Sequence, residues 1–255
     1  MVSLSKILIA KAILVFCFNL SFNESVPFYT VKDNIVEVPI MKLNFYMMNR
    51  SDAEAETLRS IRKNVEYLNK EFQDVIKFEI EQFFVDEGHA YLPDLHQEYF
   101  GVEELTVDSL VRDLESKGTI NVFIFESYFI EDLNAELMGF TPIFKASHKE
   151  YVNASPSFDR IFLAYNALGK QTTLVHEMGH FLGLDHPWEM SEINQGMMGL
   201  HDEDAIQENH MAYGPRVSGF TNEQLARMQH FALQFRRYLV NRSEFRLRGE
   251  IAFNQ

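Results

Sequence analysis

Five consecutive residues, His176-Glu177-Met178-Gly179-His180, limit the possible identity of this chain more than any others. Positions four apart on a helix stand one above the other, so the imidazoles of His176 and His180 can grip a single ion. Glu177 follows His176 and can reach a water on that ion without ligating it. The run continues through Phe181-Leu182-Gly183-Leu184-Asp185-His186, which completes the pattern HExxHxxGxxH. Gly183 permits the left-handed backbone that ends a helix and swings the chain back. His186 can then approach the ion from a third direction. Three neutral imidazoles with a fourth position left open describe a catalytic zinc site rather than a closed structural one.

Composition narrows the rest. The chain has 255 residues, room for one large domain or two small ones. Its 23 basic against 37 acidic residues give a formal charge of −14. That balance, with no run of lysine or arginine, argues against nucleic acid as a partner, because displacing counterions needs a basic face. A single cysteine excludes a disulfide scaffold and any zinc site built from several thiolates.

Residues 1–21 read as an export signal. Lys6 and Lys11 form the positive front, and Ala12 to Phe18 an uninterrupted apolar stretch too short for a membrane span of about 20 residues. The cut is expected between Ser21 and Val26, and an uncleaved anchor and a buried strand are the other readings of this segment. Cleavage would remove Cys17, leaving a mature chain without cysteine. The product would be secreted, extracellular or periplasmic, with no stable membrane insertion, and acidic enough to stay soluble and attract basic partners.

The remainder, 27–255, is expected to be one catalytic domain, with an upper subdomain over about 35–183 and a lower one over about 184–255. Val36 to Met47 is an extended pattern, with Met41, Leu43, Phe45 and Met47 on one face and Lys42 and Asn44 on the other. Ser51 to Glu54 is a capping box. It opens a helix whose stripe is Leu58, Ile61, Val65, Leu68 and Phe72. Ile76, Phe78 and Ile80 alternate with charged residues, the mark of a half-buried strand. A helix over about Thr106 to Lys117 should stop at Gly118. Ile120 to Phe125 is apolar without alternation, as in a strand covered on both faces.

Phe140 to Phe144 should be an edge strand, because Pro142 cannot donate to a ladder. Phe158 to Tyr165 is a further strand, leading through Gly169 into a helix over about Lys170 to Leu182. Gly183 to Phe220 has little regular pattern, and a loop that long usually builds a site. Thr221 to Gln224 is a second capping box, before a face of Leu225, Met228, Phe231, Phe235 and Leu239. Strands alternating with helices, then an irregular stretch and a closing helix, indicate an α+β fold: a twisted mixed sheet with helices packed on it.

Beyond the histidines stands Asn209-His210-Met211-Ala212-Tyr213-Gly214-Pro215. Together the two motifs resemble the metzincin zinc peptidases, in which a tight turn carrying a methionine lies beneath the zinc. The resemblance implies that Met211 is the turn methionine and that the Tyr213 hydroxyl stands near the metal, where it could stabilise an oxyanion. Within that clan the chain is most similar to the pappalysins. The likeness runs over roughly residues 36–240 and includes Leu137 to Pro142, Phe158 to Ile161 and Gly169 to Leu174, while His186-Pro187 resembles the serralysins. It implies a metzincin-like fold and a protein or peptide substrate lying extended along Phe140 to Phe144, with Arg216 and Val217 walling a specificity pocket.

The chemistry expected of such a site is peptide hydrolysis. Glu177 takes a proton from water as it attacks a carbonyl, then returns it to the leaving amine. The alternative from another class is a secreted zinc-containing binding protein on a silent protease scaffold, although the general base and all three ligands are in place. Asp202-Glu203-Asp204 could hold calcium, but reads better as a solvated acidic stretch. His89, His96, His148, His201, His210 and His230 are expected to be solvated or satisfied in the core rather than ligands.

Overall fold

The computed structural model describes residues 35–48, 54–73, 75–86, 111, 113–125, 128–130, 135–141, 159–212 and 219–247. All of them fall in one of the chain's two units, Ile35–Gln255; the export-signal expectation falls on the other, Met1–Asn34, outside the described residues.

Strand β1 (Ile35–Met48) organises the sheet. Helix α1 (Glu54–Glu71) returns the chain to β2 (Lys77–Asp86), which runs parallel to β1. Strand β3 (Ile120–Phe125) lies parallel to β1 as well, and β7 (Arg160–Ala164) parallel to β3. Strands β4 (Tyr128–Ile130) and β5 (Ala135–Leu137) form a small separate antiparallel pair. The short β6 (Gly139–Phe140) runs antiparallel along β7, giving the order β2-β1-β3-β7-β6. The protein is thus a mixed α+β fold on a mostly parallel sheet.

Both faces of the sheet are covered, as mostly parallel strands require. On one face Leu43, Phe45, Val122, Ile124 and Leu163 join a core with Ile61, Val65 and Leu68 of α1. On the other, Phe123, Phe125 and Phe162 cluster with Tyr46 and Ala167. Asn44 lies opposite Leu43, as the alternation predicts, yet it too is buried and donates to Thr119 Oγ1 at 3.2 Å. The second core is what covers it. The α1 stripe is as expected from Ile61 to Phe72, with Leu58 only half-buried at the exposed end. Its expected cap, Ser51, lies outside the described residues.

Helix α2 (Gln171–Phe181), which carries the histidine motif, follows β7 through a 3-10 turn, Tyr165–Gly169. Asn64 of α1 donates to Leu168 O at 2.9 Å and fixes that turn against α1. The stretch expected to be irregular holds another 3-10 turn (Pro187–Glu189) and two short helices, α3 (Glu192–Met197) and α4 (Glu203–Gln207). Ser191 and Asp202 cap those helices, each accepting from a backbone N–H three residues on. They are too short to show a helical stripe. Helix α5 (Asn222–Gln234) opens with the predicted Thr221 capping box.

The elements depart from expectation at several places. Residues 113–118 are turn and coil, so no helix reaches Lys117, although Gly118 does adopt φ +76°. Helix α5 stops at Gln234, leaving Phe235 as its cap and Leu239 in a 3-10 turn, Arg237–Leu239. The chain then forms an unexpected strand, β8 (Val240–Leu247), antiparallel to β1. Ile40 pairs with Lys77 of β2 and with Arg242 of β8, so those strands lie on opposite edges of β1. The end of the stretch expected to form a lower subdomain therefore completes the main sheet. Edge strand β6 is shorter than predicted; Pro142 to Phe144 lie outside the described residues.

Candidate metal centre

Helix α2 carries His176 and His180 one turn apart, both buried at 9% and 5% exposure. Leu182 caps it, and Gly183 turns the chain at φ +84°. Leu184 N donates to Gly179 O at 2.9 Å and Gly183 N to His180 O at 3.0 Å, the paired bonds of a Schellman stop. A residue with a Cβ would be strained at that φ and would also press into the Phe231 ring. The reversal brings His186 back. The ligating atoms of His176, His180 and His186 all lie within 4.8 Å of one another. Among the described residues this is the one such group.

Two of the imidazoles have their protons placed by the main chain. His176 Nδ1 lies 2.7 Å from His210 O, and His180 Nδ1 lies 2.8 Å from Leu184 O. A carbonyl only accepts, so each Nδ1 carries the hydrogen and each Nε2 presents a lone pair. Burial holds His176 down to about 4 and His180 down to about 3, so both stay neutral at pH 7. Burial lowers His186 as well, with Glu189 and Asp185 working the other way.

His180 Nε2 and His186 Nε2 stand 3.0 Å apart. Tetrahedral zinc–nitrogen bonds of about 2.0–2.1 Å place neighbouring donors roughly 3.3 Å apart. One pair of neutral nitrogen donors near that spacing, a third within 4.8 Å of both, and two tautomers set from behind fit a metal ion. A buried triad of histidines able to hold one is therefore what the motif builds.

Glu177 is buried beside them at 5% exposure. Burial pushes its carboxyl up to about 8, with a hydrogen bond from Thr141 opposing. Thr141 Oγ1 donates to Glu177 Oε2 at 2.8 Å and also lies 3.1 Å from Glu177 O. Thr141 directly follows β6, and a Cβ at Gly139 of that strand would fall 2.8 Å from Glu177 Cγ. The edge strand thus leaves room for the carboxylate and fixes one of its oxygens. Neither residue carries a sequence signal for this role beyond its place, Thr141 in the expected edge strand and Gly139 just before it.

Met211 is wholly buried, and a Cβ at Gly179 would collide with its Sδ. It therefore packs directly on the helix between the two histidines. Its turn, Asn209 to Ala212, is closed by Ala212 N donating to Asn209 O at 2.9 Å. Tyr213, Arg216 and Val217 lie outside the described residues. His210 is buried in the core rather than in the triad, with its Nε2 2.9 Å from Glu71 Oε2. Asp202 caps α4, with Glu203 and Asp204 in its first turn, where acids favour the helix dipole.

The outer side of the site has a different make-up. His186 stacks on Trp188 with ring centroids 4.4 Å apart, and Trp188 is 52% exposed. Glu189 Oε2 lies 3.2 Å from His186 Nδ1. Among the described residues, no helix is long and apolar enough to cross a membrane. No protein-family model matches this chain, and no curated protein matches it.

Proposed function

We propose that this chain is an exported zinc-dependent endopeptidase of the metzincin type, most similar to the pappalysins. The observation that carries the reading is the convergence of His176, His180 and His186 beside the buried carboxylate of Glu177, with Met211 packed against the same helix. The finer fold reading rests on three placements: a backing helix, a metal-site helix, and a short antiparallel edge strand at the carboxylate.

A zinc ion in this triad supplies Lewis acidity and brings the pKa of water towards about 7. The Glu177 carboxyl, which burial alone raises to about 8, returns to its ionised form beside a cation held by the triad. Ionised Glu177 accepts a proton from water attacking a peptide carbonyl and returns it to the leaving amine. Thr141 holds Glu177 Oε2, which leaves Oε1 as the oxygen for that transfer. Tyr213, by resemblance, donates to the developing oxyanion. Substrate lies extended along β6, the edge of the sheet, adding main-chain hydrogen bonds. The partner is accordingly a protein or peptide and not a nucleic acid. The location is outside the cell or in a periplasm.

The test is a peptide-library digest by the purified full chain, with and without a chelator, beside Glu177→Gln. Cleavage that vanishes with chelator, returns with zinc and is lost in Glu177→Gln supports the reading. Zinc bound by the wild-type chain with no peptide cleaved would favour a binding protein on a silent scaffold.

A further inference from the structure

We infer that Glu71, Asn209 and Gln224 form a cradle that orients His176 for metal by fixing the His210–Met211 peptide. The inference rests on the metal-centre reading and is independent of peptidase activity. Glu71 and Gln224 come from the end of α1 and the first turn of α5, far in sequence from the zinc motif.

The peptide group between His210 and Met211 is held at both ends. Its oxygen accepts from His176 Nδ1 at 2.7 Å, and its N–H, on Met211, donates to Asn209 Oδ1 at 3.0 Å. Asn209 is in turn locked by a reciprocal amide pair. Its Nδ2 donates to Gln224 Oε1 at 2.7 Å, and Gln224 Nε2 donates back to Asn209 Oδ1 at 3.1 Å. Gln224 Oε1 also accepts from Thr221 N at 3.0 Å, the return bond of the α5 capping box. One buried glutamine thus ties a helix start to the turn under the metal site.

The side chain of His210 fixes the same peptide from another direction. Its Nε2 lies 2.9 Å from Glu71 Oε2, and its backbone N–H donates to Gly219 O at 3.1 Å. Phe220 and Tyr67 flank the ring, with centroids 4.8 Å and 6.3 Å away. His210, Gln224 and Asn209 are each no more than 3% exposed. A buried hydrogen-bonded group moves only by breaking bonds that water cannot replace, so this network holds one arrangement. His210 O therefore stands where it selects the Nδ1–H tautomer of His176 and aims Nε2 at the metal. Partners behind a ligating histidine typically contribute 10–100-fold to metal affinity.

Metal-stripped full-length chain is titrated with zinc in competition with a chromophoric chelator, and with cobalt to read the ligand-field spectrum. Glu71→Ala and Gln224→Ala are each expected to weaken zinc binding about 10- to 100-fold and to alter the cobalt spectrum. Glu71→Gln, whose amide oxygen still accepts from His210, is expected to restore most of the affinity. Folded Ala variants that bind zinc as wild type does, or a Glu71→Gln no better than Glu71→Ala, would overturn the cradle. A measurement on unsubstituted protein covers the case in which the Ala variants do not fold. Imidazole nitrogen shifts of the metal-free chain should show His176 in the Nδ1–H form alone, and a mixture of tautomers would also overturn it. If the wild-type chain binds no zinc, the metal reading itself fails; peptidase inactivity with these affinity losses intact leaves the cradle standing.

Discussion

The two sides of the metal centre are held by different means. On the inner side, His176 and His180 rest on main-chain carbonyls and Glu177 rests on Thr141, all in the buried interior. On the outer side, His186 is oriented by the Gly183 reversal, by stacking on a half-exposed Trp188 and by the contact of its Nδ1 with Glu189 Oε2 at 3.2 Å. Main-chain acceptors in a packed core keep one position, whereas an exposed pair contributes about 0–1 kcal/mol. The inner side is thus set by the fold itself. The outer side completes the site from a turn at the surface.

Within the inner side, base and ligands should separate. Glu177→Gln keeps a similar shape and the Thr141 contact, so zinc should bind normally while kcat falls by about 10²- to 10⁴-fold, the span of general acid–base catalysis. Metal content by atomic absorption beside peptide turnover checks both halves; an active Glu177→Gln removes Glu177 from the chemistry.

Replacing a ligand tests the contrast directly. A zinc site worth roughly 10–16 kcal/mol across its ligands implies a loss of about 10²- to 10³-fold per histidine, whether His180→Ala or His186→Ala. Stability of the metal-free chain should differ between them. His180→Ala leaves the Leu184 carbonyl without its donor, at a cost of about 1–3 kcal/mol, while His186→Ala should cost much less. Urea melts of both stripped variants decide it, and equal losses would contradict the distinction.

A smaller change addresses the edge strand. Gly139→Ala puts a methyl 2.9 Å from Glu177 Oε1. The far end of the side chain can shift, so the fold and zinc affinity should persist while kcat drops about 10- to 100-fold from a misplaced carboxylate. Unchanged kcat would show that β6 does not position the base.

The pH response of the metal-free chain follows from burial. His176 and His180 have pKa values lowered to about 4 and about 3 from 6.5, so the unfolded chain binds more protons below pH 6.5. Their contribution to stability is full above 6.5 and is lost as pH falls through 4 and 3. Glu177 is the opposite case: raised from 4.5 to about 8, its contribution is full below 4.5 and lost as pH rises through 8. Glu177→Gln should therefore flatten the decline of stability between pH 4.5 and 8 and leave the acid side unchanged. Thermal melts across that range measure it, and an identical profile in the variant would refute the assignment.

The inner histidines were legible in the sequence because helical spacing is local: four residues fix His176 over His180, and one glycine brings back His186. Met211 was legible only through its partner motif. What holds them was not. Glu71 meets His210 across most of the chain, and no periodicity reports a contact between residues so far apart. Strand β8 reads as charged and polar because, besides pairing with β1, its Glu244 and Arg242 meet Lys77 and Glu79 of β2, with Phe245 left exposed. The alternation of β1 suggested a polar side at Asn44, but a second aromatic core covers that side too. Thr141 is an ordinary residue at the end of an edge strand until the carboxyl group it binds is in place.

The most direct test is X-ray absorption at the zinc edge on the zinc-loaded full-length chain, with His186→Ala as the control. The account predicts about one zinc per chain with three imidazole nitrogens at roughly 2.0–2.1 Å in the first shell, falling to two in the control. A wild-type shell without imidazole, or a control identical to wild type, would contradict a metal held by His176, His180 and His186.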